Sequence, residues 1–119
     1  MSDLLADYRH PDLAALYRSW KLARQTSEGL PSLDFGREAE RIDKRCRLVC
    51  YAGERPANCR DLEVNDDLAM AIESVLSQRR PLVIEHSEQA LLRVATALLP
   101  LSDGDGIPAV LLGRFMINE

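Results

Sequence analysis

The sequence predicts an α+β fold, an antiparallel sheet of about five strands with an N-terminal amphipathic helix and one long helix packed near it. Helical periodicity marks two separate segments, and three β-rich runs with short connections close the chain. Strands joined so closely pair as neighbours in an antiparallel meander, and the helices are then expected to cover one face of the sheet.

From Pro11 to about Gln25, the apolar residues Leu13, Leu16, Tyr17 and Trp20 fall at i, i+3, i+4, i+7, the spacing that aligns side chains on one helix face. Pro11 suits a first helical turn, where its missing N–H would have no partner, and Asp12 complements the positive end of the helix dipole. Gly29 and Pro31 close the segment that follows, so the helix should stop near Gln25 or Thr26. The charged stretch from Asp34 to Lys44 has only Phe35 and Ile42 as large apolar residues and reads as a loop or a short exposed helix.

Residues Arg45 to Tyr51 alternate in part and read as a strand, with Ala57 to Val64 as its return across a turn at Gly53–Pro56. Closure about Glu54 and Arg55 would set Cys50 opposite Cys59. Asn65 is a good helix cap, Asp66 and Asp67 place negative charge in the first turn, and Leu68, Ile72, Val75, Leu76 and Arg79 trace a helical face. That long helix should run from about Asp66 to Gln78. The three closing strands are Pro81–Glu85, Ala90–Leu99, buried on one or both faces, and Ile107–Ile117. Pro100 and the Ser102–Gly106 segment are assigned to the turn between the last two.

The 119 residues suit one compact unit, and 46% apolar with 29% charged residues is the composition of a globular protein rather than a disordered one. A net charge of −4 has the wrong sign for a chain that holds nucleic acid through its overall field. No apolar run approaches the roughly 20 residues of a membrane span, and Asp3 and Asp7 stand where a secretory signal needs basic and then apolar residues. A cytoplasmic protein with no membrane partner is expected, and three cysteines, an odd number, point to reduced thiols.

Cys46, Cys50 and Cys59 are the only cluster of soft ligands. Their spacing lacks the tight pair of a zinc knuckle, and on a strand Cys46 and Cys50 would lie about 13 Å apart, at roughly 3.3 Å per residue. Buried, inert thiols are expected, with an iron–sulfur cluster that takes its fourth ligand from outside as the alternative. His10 and His86 stand in no recognisable relation to a second catalytic group, and no nucleophile elbow, phosphate loop or zinc-protease motif occurs. Asp103-Gly104-Asp105-Gly106 lacks the ligand series and closing glutamate of a calcium loop and reads as a turn. No catalytic residue and no enzyme activity are therefore expected. The stripe Leu13, Leu16, Tyr17, Trp20 carries the only Trp; packing on the domain's own sheet is the first reading, a dimer or partner interface the second, and one stripe can do both.

Two blocks of sequence resemble a family of short single-domain bacterial PAS-like proteins. Leu16-Tyr17-Arg18-Ser19-Trp20, then Leu30-Pro31-Ser32-Leu33-Asp34, resembles that family's LYxxW helix and LPS segment. Arg79-Arg80-Pro81-Leu82 is similar to its step into a strand, and Leu98-Leu99-Pro100-Leu101-Ser102-Asp103-Gly104 with Leu111-Leu112-Gly113 to its LLPLSxDG…LLG ending. The middle is shorter than in the family, and Phe35-Gly36 replaces the aspartate–proline pair expected after Asp34. The resemblance implies an N-terminal helical extension over 1–33 and a PAS-like α+β domain over 34–119. It implies a sensory or regulatory module in signal transduction, without a cofactor. Its contacts would be with itself as a homodimer, or with a signalling protein such as a histidine kinase.

Overall fold

The computed structural model is described here over residues 8–24, 30–52, 55–56, 66–89, 92–102 and 108–118. Three helices, α1 (Pro11–Ala23), α2 (Leu33–Ile42) and α3 (Asp66–Gln78), accompany strands β1 (Cys46–Ala52), β2 (Arg55–Pro56), β3 (Leu82–Gln89), β4 (Leu92–Ser102) and β5 (Pro108–Asn118). The fold is α+β. Its antiparallel sheet has the order β2-β1-β5-β4-β3, four long strands with the two-residue β2 at one edge. The expected meander is β3-β4-β5, and β1 joins it beside β5, with Cys46 opposite Gly113 and Cys50 opposite Ala109.

The helices cover both faces of this sheet, not one. Side chains alternate across a strand, so the register sorts them. Ala95, Ala97, Leu99, Leu101, Leu111, Phe115 and Cys46 point toward α1 and α2, whereas Leu98, Val110, Leu112 and Val49 point toward α3. Residues 94–101 are consequently buried without interruption. An apolar run with no polar alternation is what a strand covered twice requires.

α1 starts on His10, whose Nδ1 accepts from the Leu13 N–H at 3.4 Å, and stops at Ala23, two to three residues before the expected end. Arg24 is already extended and lays its guanidinium over the Trp20 ring, 5.0 Å from the centroid. The inward stripe packs where the sheet is small. Gly113 makes the approach possible, because a Cβ there would come within 2.9 Å of Leu16 Cδ2 and 2.8 Å of the Phe115 ring. Trp20, 1% exposed, donates its indole N–H to the Pro100 carbonyl at 2.9 Å.

Pro100 lies inside β4, opposite Val110, and not in the turn. The strand runs on to Ser102 because its neighbour β3 has already ended, at the Leu82–Leu98 pair. On that side proline has no N–H to leave unpaired, and the indole takes its carbonyl. Beyond it Ser102 donates its N–H to the Pro31 carbonyl at 2.9 Å, which ties the segment before α2 to the end of β4. The remainder of the Ser102–Gly106 turn lies outside the described residues.

Other elements depart from expectation in instructive ways. Of the two alternatives for the charged stretch, the helix forms, over residues 33–42, and its departure is that one side is not exposed: Gly36 is buried where a Cβ would meet the Leu101 and Leu48 side chains at 2.7 and 2.8 Å. Tyr51 pairs with Pro56 and Ala52 with Arg55, a register in which Arg55 is a strand partner and not a turn residue. This register removes the expected pairing of Cys50 with Cys59. Cys59 itself, like the proposed return strand 57–64, lies outside the described residues. α3 has the expected bounds, but Arg79 does not continue its face: at φ 57° it takes the left-handed conformation that ends the helix. Among the described residues no helix is long and apolar enough to cross a membrane.

Two stability outcomes follow. Trp20→Phe, which removes the indole donor together with part of the buried ring volume, should lower unfolding free energy by about 2–3 kcal/mol in urea titrations, and Trp20→Ala by about 3–5 kcal/mol. Arg79→Gly should raise stability by up to about 1 kcal/mol, since glycine takes a positive φ without the cost a side chain incurs. A neutral or destabilising Arg79→Gly would contradict the left-handed helix stop.

Candidate functional site

A groove of about 440 Å³ opens between α1 and α2. Its walls are two facing helical stripes at i, i+3, i+4, i+7: Asp12, Ala15, Leu16 and Ser19 from α1, and Phe35, Glu38, Ala39 and Ile42 from α2. Cys46 of β1 lies beneath them. The start of α1 lies beside the end of α2, where Arg45 reaches Asp12, while Tyr17 and Trp20 cluster with Leu33 and Phe35. The helices therefore run antiparallel.

The charged end of the groove is organised by Arg45. Its Nη2 and Nε donate to the two Asp43 carboxylate oxygens at 2.8 and 3.0 Å, and Nη1 donates to Asp12 Oδ2 at 3.1 Å. The guanidinium also lies 4.7 Å from the centroid of the Phe115 ring. Hydrogen bonding from Arg45 holds the Asp43 carboxyl below the usual aspartate range, and the same contact pushes Arg45 further above its own. Asp43 thus stays ionised until strongly acidic conditions. One guanidinium answers two carboxylates here, which leaves one negative charge in surplus. Farther along, Glu38 is matched by Arg41. Glu40 is engaged too, its carboxylate taking the Leu48 N–H at 2.6 Å and closing part of the β1 edge.

Cys46 is 2% exposed, and burial, with Asp43 nearby, pushes its thiol up to about 11. A thiol so placed is protonated at neutral pH and is a poor nucleophile. Cys46 and Cys50 lie on one strand, with Gly113 and Ala109 as their backbone partners, and a rise of roughly 3.3 Å per residue sets their Cα atoms about 13 Å apart, too far for one metal ion. Among the described residues no group of three or more His, Cys, Asp or Glu is placed to hold a metal.

The predicted interface residues are brought together, but on the inside. Leu13 and Trp20 are buried, Tyr17 is 9% exposed and stacks on Trp20, and only half-buried Leu16 also lines the groove. His10 is a helix cap packed near Phe115, and His86 stands exposed on β3. The groove residues that sequence reading passed over are Phe35, Glu38, Ala39 and Ile42. Their own spacing was the available signal, since a phenylalanine, an alanine and an isoleucine at i, i+4 and i+7 make one narrow apolar stripe. No protein-family model, curated protein or solved structure matches the chain.

The buried thiol gives a direct check on this geometry. Iodoacetamide at neutral pH should label Cys46 in the native protein at least roughly two orders of magnitude more slowly than a free thiol of pKa about 8.5, with sites localised by mass spectrometry. In urea the difference should disappear. Rapid native labelling at Cys46 would place it outside the core.

Proposed function

We propose that the protein is a small, non-enzymatic PAS-like regulatory module that acts through protein contacts, and that a second copy of the chain is its first partner. The α+β layout supports this reading, with its five-strand antiparallel sheet, N-terminal amphipathic helix and long helix. The observation that carries the contact is Leu22, which stands 86% exposed on α1, opposite the side that packs on the sheet.

Leu13 and Trp20 are committed to the core, so the contact passes to the outer ridge of the same helix, Ala15, Ser19 and Leu22. Two such ridges laid antiparallel about a two-fold axis set each Leu22 toward the small Ala15 of the other copy. They also bring the acidic start of one helix, at Asp12, toward the basic Arg18–Lys21 end of the other, so the charges complement. A signalling protein such as a histidine kinase would then be the downstream partner.

Light scattering over a concentration series tests the contact. The wild-type protein should approach twice the 13.4 kDa chain mass, and Leu22→Glu should return it to the single-chain value with an unchanged circular dichroism spectrum. A wild-type protein of single-chain mass at every concentration would overturn self-association.

A further inference from the structure

We propose that the α1–α2 groove is a binding site for a small amphiphilic amine, with its hydrocarbon body along the groove and its ammonium group at the Asp12–Arg45–Asp43 end. This assignment goes beyond the contact reading: Asp12, Ala15 and Ser19 border both surfaces, but Leu22, which carries the self-contact, is outside the groove lining.

Size, lining and charge each narrow the ligand. A volume of about 440 Å³ is at the small end of the roughly 300–1,000 Å³ usual for ligand sites. The side walls from Leu16, Phe35, Ala39 and Ile42 offer carbon, and Cys46 below them is a neutral thiol rather than a thiolate. Ile42 lines the groove yet is 70% exposed, so apolar surface there remains unburied within the chain. The strong polar groups gather at one end, which suits a ligand with a single polar head. At that end two carboxylates share one guanidinium, and Glu38 is balanced by Arg41, so the sum over the groove is one negative charge. A cationic head is attracted by that surplus charge, and an anionic head is repelled by it. Because Asp12 and Arg45 are 60% and 43% exposed, solvent screens the charge and the selectivity should be modest.

The test uses three probes with one chain length: octylamine, 1-octanol and octanoate, measured by calorimetry at neutral pH. Octylamine should bind tightest, about fivefold over octanoate, with octanol between them. In nitrogen–proton correlation spectra its addition should shift amides of Leu16, Phe35, Ala39, Ile42 and Cys46 together. Ala39→Trp, which fills the groove, should weaken octylamine and octanol alike by at least about tenfold. Asp43→Asn should weaken octylamine alone and erase its lead over octanoate. Should Ala39→Trp fail to fold, the pattern of shifted amides in the wild-type protein decides the location. Octanoate binding as tightly as octylamine, shifts spread away from the groove, or no binding at millimolar probe would each overturn the proposal. Leu22→Glu should not weaken octylamine, because Leu22 is outside the lining and release of the self-contact can only uncover Asp12, Ala15 and Ser19; weaker octylamine binding in that variant would place the probe at the self-contact and overturn the groove assignment.

Discussion

The structure depends on how closely α1 can lie on the sheet. Trp20 is the largest side chain in the core, and burying it without an indole partner would strand a donor in a nonpolar setting. The Pro100 carbonyl removes that cost, and it is free to do so because β4 runs past the end of β3 at this point. The hydrogen bond also fixes position, since it locks the end of α1 to one residue of one strand. Once it is made, Leu13 falls over Ala95 and Ala97, Leu16 falls over Gly113, and Tyr17 stacks against Trp20 itself.

A helix on each face has a consequence for the central strands. β4 and β5 must be apolar on both sides, and 94–101 and 109–112 are buried at every position. Thr96 is the one polar side chain buried in this stretch, while Arg93, Arg114 and the β3 side chains Glu85 to Ser87 stand exposed. Such strands carry no alternation to define which side is inward. Register is set instead by size, with small Ala95, Ala97 and Gly113 under α1 and branched Leu98, Val110 and Leu112 under α3.

How much of this was legible in the sequence depended on whether a local rule or a distant contact set the outcome. α3 was readable to its last residue, because a cap, an acidic first turn and a four-residue apolar stripe all agree on the same bounds. Arg79 was misassigned because nothing in its own chemistry announces a positive φ, which glycine would have advertised. Pro100 was placed in a turn by its usual habits, and the partner that permits it inside a strand is a tryptophan 80 positions away. The stripe on α1 is legible, and packing on the chain's own sheet is the first of its two readings, since periodicity marks a face without saying what covers it. The run 94–101, apolar except for Thr96, left open burial on one or both faces, and only the packing of α3 on the Leu98 side decides for both.

The groove follows from the same packing. Ridge-bearing helices can close on each other only as far as their supports allow, and α1 and α2 rest on different parts of the sheet. α1 is drawn toward Gly113 and Ala97, whereas Gly36 lets α2 settle on Leu48 and Leu101. Two small residues thus seat two helices deeply but apart, and a gap between them remains. Arg45 then holds one end of that gap in shape, tied to Asp43 after α2, to Asp12 at the start of α1 and, through its own carbonyl, to the Arg114 N–H of β5. A cleft floored by Cys46 of the core, and braced at its mouth by a shared guanidinium, is held in shape by the chain itself, so little ordering would have to accompany binding there.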